Sequence, residues 1–288
     1  MKKAIDLHMH SHCSDGSKSP TELVKLLVAK KIVVAALSDH NTIHGQYEFQ
    51  AAAKKYNIKT IPAVEIYVHY NRRPLHLLGY GIDINNAELH DVLRESQVKR
   101  KKSIEVLVPK LKRVGLNLDI SELFSQPATY IGIANIVRIM RKDRKNENVI
   151  QKALGKKQFD FFEIYNKFFS EESSCHLPEV ALRAKDAIEL IKRSKGFAVL
   201  AHPGWHLGFK DDHVIGELQE LGMKGLECFS SHHNWDQSAH YEMLAKRQNL
   251  IITGGSDYHG DLPGDFIIEN FHEFTSFPYE IYENIKVF

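Results

Sequence analysis

The chain has 288 residues, 43% of them hydrophobic and 26% charged, with a formal net charge of +2. Such a balance is ordinary for a folded, water-soluble protein, and it is too close to neutral to mark a nucleic-acid or membrane-surface binder by charge alone. No stretch approaches the ~20 apolar residues of a membrane span, and the length admits one large α/β barrel or two modest domains. The three cysteines (Cys13, Cys175 and Cys228) are odd in number and widely spaced, so no disulfide framework is expected. Met1-Lys2-Lys3 runs straight into an apolar segment without a signal-like region, so the expected location is the reducing cytoplasm.

The first element is a short apolar strand, residues 4–7, that ends in His8-Met9-His10 and then Asp15-Gly16. Strand side chains alternate in direction, so His8 and His10 point the same way as a pair of imidazoles, with Asp15 able to curl back as an oxygen ligand. Ser19-Pro20-Thr21-Glu22 reads as a capping box that starts a helix over residues 23–31. The β-branched run 32–37 predicts a strand buried on both faces, ending in Ser38-Asp39-His40. A helix over 44–56 stops at Asn57, and a strand over 60–65 ends in Glu65. Another strand, 74–81, carries His76 inside it.

From 84 to 175 the character changes to helix without strand: a long charged helix over 87–114, then pieces at 121–124, 132–142 and 159–169. The α/β rhythm returns with a helix at 181–194 and a strand at 197–201 that finishes in His202-Pro203-Gly204. Next come a helix at 214–221 and the strand 225–229, containing Glu227 and followed by Ser231 and His232. A helix at 236–248 precedes the strand 250–253, which runs into Gly255-Ser256-Asp257-Tyr258-His259. A closing helix is expected at 278–285. Alternation of this kind predicts a parallel α/β arrangement. Each strand has a polar residue in or just after it, and catalytic groups drawn from many strand ends favour a barrel over an open sheet with one switch point.

Together, His8-x-His10 with Asp15, Ser38-Asp39-His40, Glu65, Ala201-His202-Pro203 and Gly255-Ser256-Asp257-Tyr258-His259 resemble the PHP (polymerase and histidinol phosphatase) family. The resemblance runs from residue 5 to about 260, apart from the helical segment. Its nearest look is that of the free-standing metal-dependent phosphoesterases, which include nucleoside bisphosphate phosphatases and nucleotide-trimming exonucleases. The resemblance implies a distorted (β/α)7 barrel related to the TIM barrel, in two parts (1–83 and 176–288) interrupted by a helical insertion (84–175). It also implies two or three divalent metal ions. One would take His8, His10, Glu65 and Asp257; a second would share Glu65 and add His76 and His202; a third would take Asp15, His40 and His259.

Mixed imidazole and carboxylate ligands suit Mn, Zn or Fe. Three such ions would bring six positive charges against the three negative ones of Asp15, Glu65 and Asp257, an excess that draws an anionic phosphate. The expected activity is hydrolysis of a phosphate monoester on a small molecule, a nucleotide or an oligonucleotide end by a metal-activated hydroxide. No membrane and no obligate protein partner is expected. The rivals are a metal-dependent amidohydrolase, which commonly bridges its metals with a modified lysine, and a non-catalytic module stabilised by metal.

Further positions invite smaller roles. Glu227, Ser231 and His232 match a family position near the substrate, where His232 would contact phosphate or protonate the leaving group. Asp39 is read either as orienting a ligand or as a strand-end hydrogen-bonding group, and His206 as lining the mouth or packing. His233, His240 and the run Lys99-Arg100-Lys101-Lys102 are read as solvated surface, and Cys175-His176 as structural. The related phosphoesterases open their insertion with an arginine and a histidine that grip phosphate. The matching stretch here, Tyr130-Ile131-Gly132-Ile133-Ala134-Asn135, has neither, which leaves Arg138, one turn further on, as the candidate to compensate.

Overall fold

The computed structural model describes residues 4–260. The N-terminal part contains strand β1 (Ala4–Asp6), helix α1 (Pro20–Ala29), β2 (Ile32–Ala35), α2 (Gln46–Lys55), β3 (Lys59–Thr60), β4 (Ala63–Tyr70) and β5 (Arg73–Tyr80). The expected capping box is present: the Ser19 hydroxyl accepts from the Glu22 amide and the Glu22 carboxylate accepts from the Ser19 amide. The middle of the chain is helical, with α3 (Ala87–Arg113), α4 (Ile120–Phe124), α5 (Ile133–Met140), α6 (Arg144–Leu154), α7 (Phe161–Ile164) and a π-helical turn at Tyr165–Phe169. The last part runs β6 (Leu182–Arg183), α8 (Ala184–Arg193), β7 (Phe197–Leu200), α9 (Pro203–His206), a 3-10 turn at Phe209–Asp211, α10 (Asp212–Glu220), β8 (Gly225–Ser230), α11 (Trp235–Arg247) and β9 (Ile251–Gly255). The helix expected at 278–285 lies outside the described residues.

The strands form a three-stranded sheet, β1-β2-β3, and a six-stranded one, β6-β4-β5-β7-β8-β9. Backbone hydrogen bonds link the two sheets at two places. Leu7 N donates to Gly254 O (3.2 Å) and His10 N to Tyr258 O (2.9 Å) on one side, and Asn41 N donates to Glu65 O (2.8 Å) on the other. The expected all-parallel rhythm is broken once. β4 and β5 are a long antiparallel hairpin, and β5 also runs antiparallel to β7, whereas the remaining pairs are parallel. Its two-residue turn, Asn71-Arg72, has φ of 48° and 66°, the doubly left-handed conformation that matches strand twist in a tight hairpin. Asn71 suits that geometry; Arg72 hides it from a sequence reading.

Apolar burial divides the molecule. One core gathers Val64, Ile66, Leu77, Ile188, Leu200 and Leu226 from the strands and α8. Another draws only on residues between 104 and 177, including Ile104, Leu107, Ile136, Ile150 and Phe169. Helix α3 spans both, because its buried positions 89, 93, 96, 100, 104, 107 and 111 fall every three or four residues along one stripe. Leu89 and Leu93 enter the strand core and Ile104 to Leu111 the helical one.

Where the cores meet sits Arg100, which contradicts the solvated-face reading of the basic run. Its side chain is fully buried. It donates to Ile131 O (2.8 Å), Pro178 O (3.1 Å) and Glu179 Oε1 (3.1 Å), while Tyr130 donates to Glu179 Oε2 at 2.6 Å. A buried guanidinium persists only when its donors are met in this way. No helix among the described residues is long and apolar enough to cross a membrane.

Candidate metal centre

His8 and His10 leave the end of β1, His40 follows β2, Glu65 and His76 sit within the β4–β5 hairpin, His202 follows β7, and Asp257 and His259 follow β9. The geometry brings all of these, with Asp15, to one floor. Glu65 is at the centre, fully buried. Its Oε2 lies 3.1 Å from His8 Nε2, 3.3 Å from His10 Nε2 and 2.9 Å from His40 Nδ1; its Oε1 lies 3.0 Å from His76 Nδ1 and 3.1 Å from His202 Nε2. Asp257 Oδ1 closes the first group, 2.8 Å from His10 Nε2 and 3.2 Å from His8 Nε2. Asp15 Oδ1 faces His259 Nε2 at 3.4 Å and His40 Nε2 at 3.8 Å.

Three groups could each hold an ion: His8, His10, Glu65 and Asp257; His10, Asp15, His40 and His259; and His76, His202 and His206. Two ligand atoms each ~2.1 Å from a metal and at right angles lie ~3 Å apart, which is the spacing these N···O pairs show. Asp15 Oδ1 and His40 Nδ1 are buried and meet only other members of these groups, in geometry that makes no good hydrogen bond, and His206 Nε2 is buried with no partner. Buried polar atoms ordinarily find a partner, so these residues fit divalent cations.

The electrostatics agree. Burial would push Glu65 and Asp257 up, yet the imidazoles outweigh it and hold both carboxyls well below the carboxylate range; Asp15 is likewise lowered, by His40 and His259. Burial would lower His8, but Glu227, Asp257 and Glu65 raise it well above an ordinary histidine. His202 is the opposite case: burial pushes it down to about 3, leaving a neutral ring.

A second layer holds these groups in place. Glu227 Oε1 meets His8 Nδ1 at 3.0 Å and its Oε2 accepts from the His202 amide at 2.7 Å. Glu227 thus orients two imidazoles from behind and stands away from the cavity, a use that its family position did not suggest. Asp39 accepts from Ser11 N, Ser11 Oγ and Ser14 Oγ at 2.6–2.7 Å and ties down the loop that carries Asp15. Asp6 does the same for the end of β9, accepting from Ser256 N (2.9 Å) and Ser256 Oγ (2.7 Å). Two glycines permit the close approach. A Cβ on Gly255 would stand 2.2 Å from His8 Cβ, and one on Gly132 would stand 2.1 Å from Asp15 Oδ2. His202 and Asp257 have φ of 23° and 53°, a sparsely populated backbone region that tends to persist at functional sites.

Above the floor is a cavity of about 450 Å³. Phe161, Phe162 and Tyr165 reach it from the helical segment, and Trp205, His206, Ser231 and His232 from the strand side. No lysine or arginine is among its described lining residues. His232 stacks on Trp205 (4.4 Å, 24°) and its Nε2 is 2.7 Å from Asp257 Oδ2. Ser231 donates its hydroxyl proton to Ser256 O at 2.7 Å, so that proton is not offered to a ligand. Arg138 is placed under the floor: it donates to Asp15 O (2.5 Å) and His259 O (3.0 Å), and it does not line the cavity.

Sequence reasoning left His206 undecided, and it joins His76 and His202. It put His233 on the surface, but that ring is buried, with Nδ1 donating to Cys228 O (3.0 Å) and Nε2 accepting from Gly204 N (2.9 Å). His240 pairs with Asp212 at 2.8 Å. Cys13, Cys175 and Cys228 are buried free thiols.

Strand-end imidazoles and carboxylates spaced for several cations, under a partly apolar cavity in a mixed α/β fold, define a metal-binding protein of the hydrolase type. The chain matches the PHP domain model over residues 6–167 and belongs to that family. It is 29% identical over 261 residues to a 5'-3' exoribonuclease of Haemophilus influenzae, covering 90% of this chain and 91% of that one. It is 26% identical over 263 residues to a 3',5'-nucleoside bisphosphate phosphatase of Chromobacterium violaceum, covering 91% and 88%. A solved structure from Chromobacterium violaceum, an amidohydrolase with bound sulfate and no metal, superposes with a TM-score of 0.76 at 26% identity, covering 90% and 88% of the two chains.

Proposed function

We propose that this protein is a metal-dependent phosphoesterase that releases phosphate from a monoester on a small molecule, a nucleotide or the end of an oligonucleotide. One observation carries the reading: five imidazoles surround Glu65 at the floor of a cavity whose described lining contains no fixed cation. A phosphate dianion needs positive charge there, and this donor set is built to bring it in as metal.

In this reading His8, His10, Glu65 and Asp257 hold one ion, Glu65, His76 and His202 a second, and Asp15, His40 and His259 a third. Bound Mn, Zn or Fe supplies polarisation of phosphoryl oxygens and a water whose pKa falls towards ~7. The protein's own groups do the rest. Glu227 fixes the two rings it touches, and Asp39 and Asp6 fix the loops. His232, with Nε2 hydrogen-bonded to Asp257, would protonate the departing oxygen from Nδ1 as the imidazolium, which carries a proton on each nitrogen. Phe162 and Trp205 shield the floor from water and contact the organic part of the substrate, while Ser231 is an acceptor towards it and Arg138 positions the backbone of Asp15 and His259.

The two sheets are read as a distorted (β/α)7 barrel in two parts, 1–83 and 176–288, with 84–175 inserted as the cover of the mouth. Three reduced, buried thiols suit a cytoplasmic setting. The test is a panel of nucleoside mono- and bisphosphates, short 5'-phosphorylated oligonucleotides, sugar phosphates and amides, assayed with Mn²⁺-loaded protein. Phosphate release is expected; hydrolysis of amides alone would replace this reading with the amidohydrolase one.

A further inference from the structure

His206 ends the short helix α9, four residues after His202, so the two rings share one face of a helical turn. Its ring centroid lies 4.9 Å from that of His76 and 5.6 Å from that of His202. One nitrogen from each of the three rings falls within 4.8 Å of the other two. His206 Nε2 is buried with no hydrogen-bond partner, while Trp205 stacks against the ring at 5.4 Å and 11°. An indole against one face, two imidazoles close by and a buried nitrogen left without a partner make an arrangement that hydrogen bonding does not account for.

We propose that His206 Nε2 is an additional protein ligand to the ion held by His76 and His202. The inference rests on the metal reading of that pair given above. It gives this ion three imidazoles and one carboxylate oxygen, Glu65 Oε1, a more nitrogen-rich set than the two imidazoles and two carboxylates of His8, His10, Glu65 and Asp257. Imidazole suits Zn and Fe whereas carboxylate oxygen suits Mn and Mg, so the His76–His202–His206 position selects Zn²⁺ or Fe²⁺ over Mn²⁺. This position then differs in metal preference from the two whose donor sets are richer in carboxylate.

His206→Phe keeps the ring against Trp205 and removes the nitrogen, so it tests the ligand and leaves the packing. Full-length wild type, His206→Phe and His76→Ala are dialysed against chelator-buffered Zn²⁺ over a range of free concentrations, and bound zinc is counted by mass spectrometry. Melting of the metal-free proteins reports folding, with His206→Gln as the second variant should the phenylalanine form melt early. The visible absorption of Co²⁺-substituted protein reports the ligand set directly. His206→Phe is expected to lose one zinc per chain at concentrations that fill the wild type, through an affinity drop on the order of 10–100-fold, and to change the Co²⁺ spectrum. If His76→Ala loses that zinc while both His206 variants retain it with an unchanged spectrum, His206 is not a ligand and the metal reading stands. If His76→Ala also retains it, the metal reading of the pair falls.

Discussion

Acid should loosen the turn that presents His202, and His233 gives a measurable handle on it. The His233 ring is 4% exposed, its Nε2 accepts from Gly204 N and its Nδ1 donates to Cys228 O, so both nitrogens are committed to one neutral tautomer. Burial pushes its pKa down from 6.5 to about 4. The folded-state value is below the unfolded one, so the unfolded chain binds the extra proton between those limits. Stability from this group is therefore complete above pH 6.5 and is lost as pH falls towards 4. At ~1.36 kcal/mol per pKa unit, the loss amounts to about 3 kcal/mol.

The perturbation is His233→Gln, which removes the titration, and the assay is urea unfolding of wild type and variant in chelator at several pH values from 4 to 7. Other titrating groups are common to both proteins and cancel in the difference. At pH 7 the variant is expected to be less stable by about 1–3 kcal/mol, for two altered buried hydrogen bonds. The difference should move by about 3 kcal/mol in the variant's favour on going to pH 4, closing the deficit or reversing it. A deficit that stays constant across the range would refute the argument that His233 is held neutral.

Gly255→Ala would force a Cβ to 2.2 Å from His8 Cβ and push β1 away from β9. A loss of about 3 kcal/mol or more in denaturant unfolding, together with fewer bound ions by mass spectrometry, is expected, and wild-type values for both would contradict it. Arg100→Met takes a donor from two backbone carbonyls and from Glu179, which keeps Tyr130, and should cost about 1–3 kcal/mol; a neutral effect in the same assay would show that the packing alone holds the two cores together. Ser19→Ala removes the hydroxyl that caps α1 and should cost about 1 kcal/mol, read as a small drop in melting temperature with metal content unchanged.

The residues that meet at the floor were legible because each follows or lies within an apolar segment, so their order along the chain maps onto strand ends around one mouth. What escaped was decided by tertiary contacts. Asn71-Arg72 makes a hairpin turn whose second residue is unusual there, so the long antiparallel β4–β5 pair looked like separate strands. Helix α6 carries few apolar residues; what anchors it includes Ile150 and the buried amide of Asn146, which bonds to Asn117 and Met140. Arg100 differs from its neighbours Lys99 and Lys101 only in falling on the buried stripe of α3, and an i, i+3, i+4 count from Leu89 would have found it. His206 and His233 give no local signal that separates them from surface histidines. Glu227 was visible as a strand carboxylate, but its service to His8 and His202 depends on how β8 packs beside β1 and β7.

The central claim is that Glu65 unites metal binding and phosphate-ester hydrolysis, and one paired measurement tests it most directly: metal content and phosphate release for chelated and Mn²⁺-reloaded wild type beside Glu65→Gln. Chelation is expected to abolish release and reloading to restore it, while Glu65→Gln retains fewer ions and releases phosphate on the order of 100-fold more slowly or worse. Undiminished phosphate release by metal-free wild type, or by Glu65→Gln, would contradict the account.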